Sequence, residues 1–350
     1  MKAMKTVFLS AVLTVGVSAA ALAADGGIPG APAPFDKGGV KLALVSYLSQ
    51  GDYFEAYEAG VARQAKALGV DLHIFQGKQD AAQQREQVEQ AINLGVKGIL
   101  VDHGEPEALK DVIQKAVDAG IKVVIKDVAI DNPKVPLISQ NDHAIAQTVL
   151  DQALKDNGKA FNAGYVYVAG FQPLDLRDQI WSKIKSENAG IVEKARWGAV
   201  DSTTATTVAS QTSAALRAHP EITVVFAPYD EFARGVKLGA TEAGLASKIK
   251  VYSADISTSD IQEIRETDSP WVATAATNPT VAGEVSLRAL ALLVAGQDPG
   301  HVVEVKPTLV TRDDLVKNNI KTIEDLAAKF PAFGHSDVAT APWLQGPPTQ

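Results

Sequence analysis

The sequence contains no cysteine. That excludes structural disulfides, thiolate zinc sites, cysteine nucleophiles and anchoring through a lipidated cysteine. Basic clusters are also missing, and the formal charge is −8. An acidic chain without a basic patch argues against nucleic acid and anionic membrane surfaces as partners. The six histidines (His73, His103, His143, His219, His301, His335) show neither H-x-H nor H-E-x-x-H spacing, so no metal ligand is assigned. No G-x-S-x-G elbow, Walker loop, G-x-G-x-x-G turn or calcium loop occurs. No catalytic residue and no cofactor is therefore expected, and the chain does not read as an enzyme. Two carboxylates that end strands, Asp127 and Asp255, keep sugar hydrolysis open in principle.

The N-terminus carries an export pattern. Lys2 and Lys5 precede an apolar run from Val7 to Ala21, and Ala21-Leu22-Ala23 forms an A-x-A cleavage site. The run is short for a membrane anchor and is followed by a Gly/Pro stretch, so residues 1–23 read as a cleaved signal peptide. Its removal takes two lysines and no acid, moving the charge from −8 to −10. A bacterial periplasm is the expected location. Residues 24–39 are rich in Gly and Pro and read as a flexible leader.

Beyond Val40 the chain alternates strand and helix. Apolar runs at Val40–Ser46, Val70–Phe75, Gly98–Val101, Ile121–Ile125 and Leu137–Ser139 read as strands. Helices with 3.6-residue periodicity lie between the first four, closed by Gly69, Gly95 and Gly120. After a helix over Asp142–Asn157 the pattern restarts. Strands are predicted at Gly164–Ala169, Ile191–Trp197, Val224–Ala227, Lys250–Ala254 and Trp271–Ala275. A strongly apolar helix over Val281–Ala295 and two short strands near Val302 and Thr308 complete it. This is an α/β chain with two Rossmann-like lobes, each a parallel sheet covered on both faces. Aromatic or acidic residues follow many strand ends, as in V-V-F-A-P-Y-D-E-F-A-R-G from Val224 to Gly235. Such sheets bind ligands at the carboxyl ends of their strands, so the repetition points to one site assembled from many ends. Residues 331–350 read as a tail outside either core.

The order V-K-L-A-L-V-S-Y-L-S-Q-G-D-Y-F, V-V-I-K-D, Q-N-D, V-F-A-P-Y-D-E-F-A-R-G, V-Y-S-A-D and T-N-P resembles the ribose-binding-protein family. These are periplasmic solute receptors of sugar ABC transporters with the type I two-lobed fold. The resemblance covers Val40 to Val310. It implies a three-segment hinge, a first lobe of residues 40–141 plus 279–303, and a second of 142–278 plus 304–330. It further implies a monomer that binds a pentose, hexose or alditol and hands it to a membrane permease.

The family's ligand groups carry over to Tyr53 and Phe54 after the first strand, Asp127 after the fourth, Arg177, Asp255, and Thr277 or Asn278. Aromatic rings can stack on the C–H faces of a sugar. Carboxylates accept its hydroxyl protons, and a guanidinium donates through a rigid fork. Asn141, at the lobe crossing, His103, at a strand end, and Tyr229, after the Val224–Ala227 strand, are further ligand candidates. Each has a plainer alternative. Asp127 and Asp255 can be turn formers, Tyr53 and Phe54 point in different directions on a helix, and Tyr229 can pack at the hinge. Asn141 and Asn278 can bond within the hinge, and His103 can be a bystander. Asp230 and Glu231 read as capping and surface groups. The chain departs from the family at Val128, where an arginine is usual, at Tyr229, where an asparagine is usual, and at Asp52. Lys126, His103, Asp102 or Gln50 stand where they could compensate. These departures leave ribose itself, a signalling role towards a chemoreceptor or sensor kinase, and a non-sugar solute as open alternatives.

Overall fold

The computed structural model describes residues 26–347, so the signal-peptide reading lies outside the described residues. Two six-stranded sheets organise the chain. The first contains β1 (Lys41–Ser46), β2 (Asp71–Gln76), β3 (Gly98–Asp102), β4 (Lys122–Lys126), β5 (Leu137–Ser139) and β11 (Val302–Glu304), in the order β11-β5-β4-β3-β1-β2. All its pairings are parallel. The second contains β6 (Ala160–Val166), β7 (Gly190–Trp197), β8 (Val224–Ala227), β9 (Lys250–Ala254), β10 (Trp271–Ala276) and β12 (Thr308–Thr311), in the order β12-β10-β9-β8-β6-β7. Here β12 runs antiparallel to β10, which corrects the expectation of two parallel sheets. The short link from Glu304 to Thr308 accounts for this. A few residues cannot make a crossover, so the chain returns beside β10 in the opposite sense.

Helices α1 (Asp52–Ala67), α2 (Ala81–Asn93) and α3 (Pro106–Asp118) follow the first three strands. Gly69, Gly95 and Gly120 follow their ends with φ of 61°, 68° and 80°, where a side chain would be strained. The second sheet carries α4 (Asp142–Asn157), α5 (Gln172–Glu187), α6 (Thr204–Ala218), α7 (Asp230–Glu242) and α8 (Thr258–Arg265). The helix α9 (Pro279–Val294) returns to the first sheet and is buried on nearly every side. It lies against α1 so closely that a Cβ on Gly60 would meet the Thr280 carbonyl oxygen at 2.0 Å. The chain thus passes between sheets three times: from β5 to α4, from β10 to α9, and from β11 to β12.

Several expectations differ from the structure in ways that matter below. Strand β6 ends at Val166 and α5 already begins at Gln172, several residues before the periodic pattern starts. Pro173 sits in its first turn, where a missing N–H costs nothing. The Gly/Pro stretch before β1 is packed rather than free: Phe35 is buried and its ring lies 5.1 Å from that of Trp343. Likewise the segment after residue 330 enters both cores. Phe333 joins the core beside the second sheet and Leu344 the core beside the first. Three helices not expected from the sequence, α10 (Arg312–Lys317), α11 (Ile323–Lys329) and α12 (Pro331–Gly334), lead into that segment.

Candidate functional site

Lys78 and Gln79 after β2 adopt a left-handed backbone, and so do four of the residues singled out from the sequence, just past the ends of other strands. The four are His103 after β3 (φ 54°), Asp127 after β4 (φ 52°), Asn141 after β5 (φ 56°) and Asp255 after β9 (φ 71°). Asp, Asn and His tolerate this region better than other side chains. Strain of this kind collects at ligand sites, at a cost of roughly 1–3 kcal/mol each. The turn it makes aims the side chains of His103 and Asp255 at a cavity between the sheets. Leu48, Tyr53, Phe54, His103 and Gln140 line that cavity from the first-sheet side. Phe171, Pro173, Leu174, Arg177, Val200, Tyr229 and Asp255 line it from the second. Its empty volume is about 460 Å³, counting the part open to solvent.

Arg177, on α5, is 1% exposed. Its Nε donates to Asp142 Oδ1 at 2.8 Å, and its Nη1 donates to the Pro228 carbonyl at 2.7 Å and to Asp255 Oδ2 at 2.9 Å. Its Nη2 donates to Asp255 Oδ1 at 3.1 Å. The guanidinium is thus locked in place against Asp142, Asp255 and the Pro228 carbonyl where it lines the cavity, and its bidentate pairing with Asp255 fixes both partners. Burial disfavours its charge, but Asp255 and Asp142 more than compensate and raise its pKa. Asp142 is itself pushed up to about 6 by burial, with Arg177 opposing and Asp127 and Asp255 adding to the rise.

Across the cavity, Gln140 is the junction of the first-sheet groups. Its Oε1 accepts from the Tyr53 hydroxyl at 3.1 Å and from Thr277 Oγ1 at 3.0 Å, and its Nε2 donates to Asp127 Oδ2 at 3.4 Å. Asp127 stands behind this amide and beside Lys126, which bonds to it. Lys126 is buried and lies 3.6 Å from Asp102 and 4.9 Å from the Tyr57 ring centre. Burial opposes its charge, yet the two carboxylates and the tyrosines hold its pKa well above normal. Burial pushes Asp102 up, but His103 and Lys126 outweigh it and bring its pKa below normal. Among the described residues, Asp102 Oδ2 and the Tyr57 hydroxyl have no hydrogen-bond partner. His103 Nδ1 lies 3.0 Å from Asp102 Oδ1, and its ring meets the Phe54 ring edge-on at 5.3 Å.

Of the residues singled out by sequence, Tyr53, Phe54, His103, Arg177, Tyr229 and Asp255 line the cavity. Asp127 and Thr277 stand behind Gln140. Asn278 caps α9 and Asn141 caps α4, with the Asn141 amide also 3.3 Å from Glu304 across the hinge. Gln50 is exposed. Asp230, read with Glu231 as a capping and surface group, is buried, and burial with Asp260, Asp255 and Glu231 nearby raises its pKa well above normal. Gln140, Leu48, Phe171, Pro173, Leu174 and Val200 were not singled out. Gln140 belongs to the Q-N-D motif, so a signal for it existed. The apolar residues carry no chemistry that marks them in sequence.

At the rim, Asp52 at the start of α1 reaches across the cleft to Ser259 and to Arg234, the latter at 3.5 Å. With Phe171 and Tyr229 packed against the Tyr47–Phe54 group, the two lobes touch on both sides of the cavity.

Comparison with known proteins agrees with this architecture. The family described as "Periplasmic binding protein domain" matches residues 42–298. The solute-binding protein of a 5-methylthioribose transporter from Thermotoga lettingae, solved with 5-methylthioribose, is 39% identical. That match covers 87% of this chain and 95% of the other, with a TM-score of 0.84. A sugar ABC transporter protein from Yersinia enterocolitica is 29% identical over 88% of this chain and 94% of its own, with a TM-score of 0.83. The ribose import binding protein of Bacillus subtilis is 26% identical over 74% of this chain and 83% of its own length.

Proposed function

The chain belongs to the periplasmic binding protein family, and from that premise we propose that it is the sugar-binding component of an ABC importer, closing its two lobes on a monosaccharide or alditol. A pentose ring is the first choice, because the Thermotoga lettingae relative was solved with a ribose derivative. One observation carries the reading. Arg177 is held by Asp142, Asp255 and the Pro228 carbonyl, and it faces a Gln140–Tyr53–Thr277 junction on the opposite lobe. Either half alone satisfies part of a sugar's hydroxyl rim, and both act together only when the lobes close. A charged hydrogen bond to a neutral ligand contributes roughly 1.5–3 kcal/mol. The ring of Phe54 or Tyr53 supplies a surface for the sugar's C–H face. In this reading the protein works as a periplasmic monomer, releases its ligand unchanged and docks on a membrane permease.

A thermal-shift screen of the chain from Ala24 against pentoses, hexoses, alditols, nucleosides and amino acids tests it. A ligand at a thousand times its Kd stabilises the fold by about 4 kcal/mol, several degrees in Tm. A shift with a sugar or alditol that Asp255→Asn abolishes is the expected result. Shifts with nucleosides or amino acids alone would sink the sugar assignment.

A further inference from the structure

The polar groups of the cavity gather around Arg177, Asp255, Gln140 and His103. Tyr53 and Tyr229 add a hydroxyl each and Phe54 a ring, and the remaining wall is different. Leu48, Phe171, Pro173, Leu174 and Val200 line the same cavity and bring no side-chain donor or acceptor. They form one surface. Phe171 packs against the group containing Leu48 on one side and against the second-sheet core containing Leu174 on the other, and Val200 packs on that same core. The surface spans the cleft, so it closes over a ligand with the lobes.

We propose that this surface is a subsite for an apolar substituent, and that the ligand is a pentose whose terminal hydroxyl is replaced by hydrogen or an alkylthio group. The inference rests on the sugar-receptor reading and deepens it. Ring hydroxyls meet the Arg177–Asp255 and Gln140 side. The terminal carbon then points at Leu48, Phe171 and Val200. An unmodified pentose would bury its last hydroxyl there without a partner, which is unfavourable. A methylthio group would instead remove apolar area from water and set its sulfur near the Phe171 ring. The specificity-determining positions are thus Leu174 and Val200 on the second lobe and Leu48 on the first. None of them makes a polar contact with the ligand.

Isothermal titration of the full mature chain with ribose, 5-deoxyribose and 5-methylthioribose tests this. The expected result is tighter binding of the two modified sugars than of ribose, on the order of tenfold to a hundredfold, with a more negative heat-capacity change for the thioether. Val200 is half-buried in the loop after β7, so Val200→Asn should fold and offer a terminal hydroxyl a partner. It is expected to narrow the preference by at least about tenfold, mainly by weakening the thioether. If ribose binds as tightly as the modified sugars, the subsite is overturned and the receptor reading stands. If none of the three binds while a hexose or alditol does, the pentose subsite likewise falls alone. If no sugar binds at all, the receptor reading falls and takes the subsite with it.

Discussion

At the scale of single residues, Arg177 decides most. Three different backbone or side-chain acceptors hold it at 1% exposure. Arg177→Lys keeps the charge but loses the fork, so Asp142 and Asp255 cannot both be satisfied. Breaking a buried pair of this kind costs about 3–5 kcal/mol. The prediction is a Tm several degrees lower, read by calorimetry, together with sugar affinity reduced by more than tenfold. A Tm within a degree of wild type would show that the network does not depend on fork geometry. Arg177 was legible through the family resemblance; a cation at a helix start is locally unfavourable, but α5 begins five residues earlier at Gln172, so that cost does not mark Arg177. Gln140 stands in the Q-N-D motif but is overshadowed there, because its neighbour Asn141 has the residue type that both hinges and ligands use. The backbone turns Asn141 into a cap and leaves Gln140 to reach the cavity. The apolar wall was illegible for a simpler reason: a leucine or valine that touches a ligand has the same composition signal as one that touches a core.

At the scale of elements, two contacts give separate tests. Asp52 is the first residue of α1, and its contacts with Arg234 and Ser259 join that helix to α7 and α8. Asp52→Asn removes the charge at a rim position with half-exposed geometry, where a pair is worth at most about 1 kcal/mol. The expected change is a loss of sugar affinity of no more than about fivefold, with its salt dependence reduced, and an unaltered Tm for the sugar-free protein. A larger loss would mean that Asp52 touches ligand directly. Along β7, burial raises the pKa of Glu193, but hydrogen bonds from Arg196, Lys185 and Trp181 outweigh it and bring the pKa down to about 2. A depressed carboxylate stabilises the fold above its ordinary pKa, and that stabilisation is lost as pH falls through about 4.5 towards 2. Glu193→Gln is expected to flatten the acid limb of the stability profile over that window without moving its value near neutrality as far as a core truncation would. An unchanged acid limb, measured by urea denaturation from pH 2 to 6, would contradict it. The starts of α5 and α9 were not legible, although α3 also begins with a proline, Pro106, at the place its sequence indicates. Both α5 and α9 start with a proline in the first turn, and the apolar period starts only afterwards. That difference placed Phe171 and Leu174 in a loop by sequence and at the cavity in the structure.

At the scale of the whole molecule, the segment after α12 is the feature that sequence could not reveal. Its Pro and Gly content resembles a free tail, yet its backbone carbonyls at Ser336 and Val338 accept from the buried Arg288 guanidinium, and the Gln345 carbonyl accepts from Gln64. A buried cation finding its partners in a loop has no sequence period to announce it. Leu344 is fully buried, so Leu344→Ala should destabilise the protein by about 2–5 kcal/mol, as a core truncation does. Chemical denaturation checks this, and a change within about 0.5 kcal/mol, ordinary for a surface site, would show the segment to be loosely held. Because Phe333 in α12 sits on one core and Leu344 on the other, α12 and the segment after it join the two lobes outside the three hinge crossings.

The contact between Phe35 and Trp343 has a meaning for the order of assembly. Strands β6 to β10 are consecutive in the chain, so five of the six strands of the second sheet can meet while later residues are still being made. The core beside the first sheet takes Phe35 at its beginning and Leu344 at its end, with α9 supplied in between. It cannot be sealed until nearly the whole described chain is present, because its contacts span the longest separations and so form last. Synthesis therefore brings most of the second sheet together early, completes it with β12 and Phe333 late, and leaves the first core open longest.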